Sequence, residues 1–147
     1  GSAEYADYHE IEQRLEKLLE EYANIDWKKT STKGDVVSDF LLALWSIHPF
    51  REGNTRTCIT FLWHYLKGKG VDFQVALLRN NPMYVRDSLV MANYDQKEYL
   101  RRIISDALQG EAQETEYSMS EEETGEQYKI AKADYEAFRE KYSIKKE

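Results

Sequence analysis

Nine consecutive residues, His48 to Arg56, hold the side chains with the most chemistry in this chain. A neutral imidazole at His48 can take a proton from a hydroxyl. Glu52 is a hard oxygen ligand, suited to a divalent cation that also touches phosphates. The pair Gly53-Asn54 lets the backbone curl into an anion-binding nest. Asn54 can donate through its amide, and Arg56 can grip a phosphate oxygen directly. If the stretch opens a helix, unpaired backbone N–H groups and the helix dipole add to the nest. Base, cation ligand, nest and arginine together describe transfer of a phosphorus-centred group.

Each of these residues taken alone has a plainer reading. A histidine at a helix end is usually a satisfied structural group. A single glycine makes a turn, a single glutamate is a solvated loop charge, and a single arginine decorates a helix. Phe50 reads as the apolar anchor of the loop, and Pro49 and Arg51 have no assigned chemistry. The order and spacing of the whole set, between two apolar helical patterns, favour the chemical reading.

Those flanking patterns must position the turn. Ile11, Leu15, Leu18 and Tyr22 form one helical stripe, and Val37, Leu41, Leu44 and His48 form a second. Asp35 stands where an N-cap would open the second helix, and Pro49 closes it. A third helix runs from Asn54 to the breaker Lys67-Gly68-Lys69-Gly70. Its apolar residues cover so much of its circumference that it reads as central and buried. Residues 71–78 are ambiguous. Asn80-Asn81-Pro82 reads as a cap with proline near the first turn, followed by helices over 83–92 and 96–108. Residues 111–127 carry seven glutamates and read as an acidic linker. Beyond it, Tyr128, Ala131, Tyr135, Phe138 and Tyr142 step at helical spacing. That amphipathic tail suits a dock on its own domain or on a second copy.

Composition limits the function classes. The 147 residues suit one domain with a sizeable core, and 41% are hydrophobic. A net charge of −7 argues against a nucleic-acid backbone as partner. No apolar run reaches the ~20 residues of a membrane span, and no signal peptide is visible. The lone cysteine, Cys58, excludes an internal disulfide and fits a cytoplasmic setting; it reads as plain core.

In order, His48, Phe50, Glu52, Gly53, Asn54 and Arg56 fit the pattern His-x-Phe-x-(Asp/Glu)-Gly-Asn-(Gly/Lys)-Arg. At these positions the chain resembles the Fic family, and the likeness covers roughly residues 5–110. It implies an all-α fold, a Fic-type helical bundle around a central buried helix. It also implies transfer of AMP from ATP to a Ser, Thr or Tyr hydroxyl of a target protein, with Mg²⁺, by a bacterial-type enzyme. By the same likeness His48 is the general base and Glu52 holds Mg²⁺. Gly53, Asn54, the Thr55 backbone and Arg56 hold the phosphates, and Asn93 and Tyr94 border the nucleotide base.

This sequence departs from the family pattern in three places. Thr55 replaces Gly or Lys, which argues against the phosphate-transferring Doc branch. Ile59 stands where many members have a second arginine. The flap hairpin that aligns targets by strand addition is expected to be missing, so the core is expected to be N-terminally truncated. The family's inhibitory pattern has only a chance-level match, Ser118 to Glu122 followed by Glu123. The expected organisation is a catalytic core over 1–110, a linker over 111–127 and a tail helix over 128–147. Alternatives to AMP transfer are a weakened nucleotide- or protein-binding scaffold, or phosphate transfer, phosphocholine transfer or AMP removal. Candidate partners are the target protein, an antitoxin, or a second copy through the tail.

Overall fold

The structure is a computed structural model that describes residues 8–27, 33–47, 53–109 and 128–144. His48, Phe50 and Glu52, and the acidic segment 111–127, lie outside the described residues. So do the residues before Tyr8, where a flap would join. Among the described residues there are seven helices and no strand, an all-α fold as the sequence implies. They are α1 (Tyr8–Tyr22), α2 (Lys33–Ile47), α3 (Asn54–Gly68), α4 (Val75–Arg79), α5 (Pro82–Ala92), α6 (Glu98–Leu108) and α7 (Lys132–Lys141). None of them is long and apolar enough to cross a membrane.

The helix at the centre is α2, not α3. It buries Val37, Phe40, Leu41, Leu44 and Ile47 and packs against α1, α3, α5 and α6. Gly34 lets α6 come close, since a Cβ there would meet Ser105 Oγ at 2.5 Å. By contrast α3 buries Cys58, Ile59, Leu62 and Leu66 but leaves His64 and Lys67 exposed. Phe61, Trp63 and Tyr65 are half-buried, and the last two carry cations on their faces: Lys67 over Trp63 at 5.7 Å and Lys69 over Tyr65 at 5.4 Å. Counting apolar letters overstated its burial because Trp and Tyr can sit half in water.

Aromatic rings join the first three helices. Phe40 stacks on Tyr65 at 4.8 Å, and Trp27 meets Tyr65 edge-on at 5.8 Å. Tyr22 meets Phe40 edge-on at 4.9 Å, which fastens α1 to the same cluster. On the other side of α2, α6 presents the stripe Leu100, Ile103, Ile104 and Ala107.

The ambiguous stretch 71–78 resolves into a short α4, tied to the end of α6 by a hydrogen bond from Gln74 N–H to the Ala107 carbonyl, 2.8 Å. Asn81 holds the cap position of α5, and Pro82 begins the helix. The Asn81 amide, however, donates back to the Leu77 carbonyl at 2.7 Å. It closes α4 rather than capping α5, because a buried carbonyl at a helix end needs a donor.

The tail docks on its own chain. Tyr128 is buried, its hydroxyl donates to the Asp106 carboxylate, and Arg102 lies over its ring at 5.5 Å. Phe138 of α7 is buried, with Tyr94 edge-on at 5.6 Å. The helical stripe read from Tyr128 onward starts later, at Lys132, because Tyr128 serves as an anchor ahead of the helix.

Leu41 is fully buried at the centre of α2. Leu41→Ala should lower unfolding stability by about 3 kcal/mol, as a large-to-small core change does. Urea denaturation checks this; a loss under about 1 kcal/mol would mean that α2 is not central.

Candidate functional site

The end of α2 meets the start of α3. Gly53 precedes α3 in the left-handed conformation, with φ 64° and ψ 28°. A Cβ at Gly53 would meet nothing within 4 Å, so the backbone and not space demands glycine here. The helical ladder of α3 starts with Thr57 N–H donating to the Gly53 carbonyl at 2.9 Å. The amides of Asn54, Thr55 and Arg56 therefore precede the ladder, at the positive end of a 15-residue helix.

Three side-chain bonds hold this junction. Trp45 Nε1–H donates to Thr55 Oγ1 at 3.1 Å. Asn54 Nδ2–H donates to the Trp45 carbonyl at 3.2 Å. Cys58 Sγ–H, one turn along α3, donates to Asn54 Oδ1 at 3.7 Å. The end of α2 is thus clamped to the first turn of α3. Thr55, an unusual residue at its place in the motif, supplies the acceptor that the Trp45 indole needs.

Gly53, Thr55 and Arg56 open onto a cavity of about 740 Å³. That size suits a small-molecule ligand. Arg79, at the end of α4, and Arg86 of α5 face the same cavity, so three helices each bring one arginine to it. Its apolar wall includes Ile59 and Leu78, and Met83 stands at the edge with 65% of its surface exposed. No carboxylate among the described residues lines it. In a chain of net charge −7 this is a local concentration of positive charge.

The structure brings together Gly53, Thr55 and Arg56 of the expected site, with Asn54 bracing them. Asn93 and Tyr94 lie elsewhere, at the far end of α5. Ten residues of helical rise separate Asn93 from Met83, about 15 Å. Tyr94 packs on α7, with its ring 4.8 Å from that of Tyr142. His48 and Glu52 lie outside the described residues; the first directly follows buried Ile47, and the second directly precedes Gly53. Among the described residues no group of three His, Cys, Asp or Glu could hold a metal.

Residues 1–66 match the family model described as Fic/DOC family. Over these residues the chain is similar to Fic domains. The matched part takes in α1, α2 and α3 up to Leu66. No curated protein and no solved structure matches the chain. Fic proteins are typically transferases that move a nucleotide group to proteins and use ATP and a metal. The arginines of α4 and α5 lie beyond the residues that match the Fic family.

Sequence reasoning missed Trp45, Arg79 and Arg86. An indole N–H at a helix end, which needs an acceptor, was the available signal for Trp45. Arg79 and Arg86 flank the Asn80-Asn81-Pro82 break, but no spacing rule reveals that two helices joined there aim at a third.

Cys58 is fully buried, and burial pushes its thiol up to about 12. At pH 8 only about one such thiol in ten thousand is ionised. Iodoacetamide should therefore leave Cys58 unmodified in the folded protein and alkylate it in denaturant. Rapid labelling of the folded chain would show that the α2–α3 seam is open.

Proposed function

We propose that this Fic-like domain transfers AMP from ATP to a Ser, Thr or Tyr hydroxyl of a target protein. The observation that carries the reading is the cavity at the head of α3, where the left-handed turn at Gly53 and the Arg56 guanidinium meet. Backbone N–H groups at a helix start, with an arginine beside them, suit phosphate oxygens.

In this reading His48 takes the proton from the target hydroxyl. The freed oxygen attacks the α-phosphorus of ATP, a new P–O bond forms to the target, and the bond to the β-phosphate oxygen breaks. Pyrophosphate leaves. The turn Gly53 to Arg56 stabilises the charge that collects on the phosphate oxygens. An arginine-lined cavity cannot hold a cation through its own side chains. Glu52, adjacent to Gly53 in sequence, is the carboxylate that would hold Mg²⁺ together with phosphate oxygens. Bound there, the ion would neutralise part of the polyphosphate charge.

The partner in this reading is a protein that presents a hydroxyl side chain. An antitoxin or a second copy remains a proposed source of control. Transfer by an enzyme of this kind suits a cytoplasmic setting, where ATP and Mg²⁺ are supplied.

Transfer of labelled AMP to candidate targets tests the reading, with ATP titrations in parallel. His48→Ala should abolish transfer and leave ATP binding within about two-fold. Arg56→Ala should weaken ATP by about ten-fold, or about 1.4 kcal/mol. Transfer by His48→Ala at the wild-type rate would remove His48 as the base. ATP affinity unchanged in Arg56→Ala would move the phosphates out of the turn.

A further inference from the structure

We infer that Arg79 and Arg86 read the outer phosphates of the nucleotide, and so make the cavity selective for a triphosphate over a monophosphate. The inference rests on the nucleotide reading of the cavity and adds two residues, from α4 and α5, to it. Both arginines lie beyond the part of the chain that matches the Fic family.

The geometry runs along one face of α3. Arg56, Ile59, Thr60 and Trp63 are spaced three and four apart and so lie on one stripe. Arg56, Ile59 and Thr60 all line the cavity. Thr60 Oγ1–H donates to the Arg56 carbonyl at 3.2 Å, and Arg79 Nη2–H donates to Thr60 Oγ1 at 3.3 Å. The Arg79 guanidinium also lies over the Trp63 ring, 5.3 Å from its centre. Two contacts thus hold Arg79 beside α3, against positions one to two helical turns, about 6–10 Å of rise, beyond Arg56.

A guanidinium has five N–H donors in a rigid fork. Holding one donor on Thr60 and the flat face on an indole leaves the rest of the fork for oxygen atoms. Its position is set before a ligand arrives, so less side-chain freedom is lost on binding. Arg86 approaches the cavity from α5. The adjacent Asp87 accepts a hydrogen bond from Tyr135 of α7 and is attracted to Arg86 and Arg139, though burial still raises its carboxyl above the usual range. The docked tail therefore braces the helix that carries Arg86.

Three guanidinium groups around one cavity, with no described carboxylate among its lining residues, fit a ligand with several adjacent negative charges. A single phosphate would be met by the turn and Arg56 alone. A nucleic-acid backbone fits poorly, because the surrounding chain is acidic and the cationic patch is confined to the cavity.

Calorimetric titration of ATP, ADP and AMP into the wild type, Arg56→Ala and the double variant Arg79→Gln/Arg86→Gln tests this. The wild type should bind ATP at least ~10-fold more tightly than AMP, as one or two charge-assisted hydrogen bonds allow. The double variant should lose most of that ratio while its AMP affinity stays within about two-fold. An unchanged ATP:AMP ratio in the double variant, with ATP still weakened by Arg56→Ala, would overturn the inference and leave the nucleotide reading standing. No binding of any of the three by the wild type would overturn both. Arg86→Gln alone, at wild-type melting temperature, carries the same test if removing Arg79 from Trp63 unfolds the protein: a reduced ratio supports the inference, and an unchanged one ends it.

Discussion

The clamp between Trp45 and the first turn of α3 is the constraint on which the site depends. The indole N–H of Trp45 reaches Thr55, and the Trp45 carbonyl receives the Asn54 amide. Directly before α3, Gly53 supplies a left-handed residue at the head of the helix. With both ends fixed, the head of α3 points its early amides at one place. Loss of the clamp would leave the same residues in the sequence without a common direction.

The clamp works because α2 is itself packed on several sides. Its buried face meets α1, α3, α5 and α6, so it serves as the axis of the bundle. The cavity forms where α3, α4 and α5 leave a gap beside this axis. The Asn81 bond to Leu77 and the Gln74 bond to Ala107 fix both ends of the short α4, whose last residue is Arg79. The docked tail completes the frame: Tyr128 fastens to α6, and Phe138 packs against Tyr94 at the end of α5. A five-residue helix has little stability of its own, so these bonds and its packing on α3 and α6 give α4 a defined position.

Much of this was legible in the sequence, for physical reasons that differ by element. The stripes of α1 and α6 are amphipathic and repeat cleanly, so their faces were readable from spacing. The start of α3 was readable because Gly53 marks it. The choice of central helix was not, because a half-buried aromatic residue counts the same as a buried one in a sequence. Neither was the role of Asn81, whose amide could serve either of the helices it separates. The meeting of Arg56, Arg79 and Arg86 depends on how three helices pack, which no local pattern encodes.

The central claim is that the head of α3 and the three arginines form one polyphosphate site. The most direct test is an NMR titration of the ¹⁵N-labelled protein with ATP and Mg²⁺. The account predicts the largest shifts at the backbone amides of Gly53 to Arg56 and at the side-chain Nε of Arg56, Arg79 and Arg86. Asn93 and Tyr94 should shift far less. Shifts centred on Asn93 and Tyr94, with the α3 amides unmoved, would contradict it.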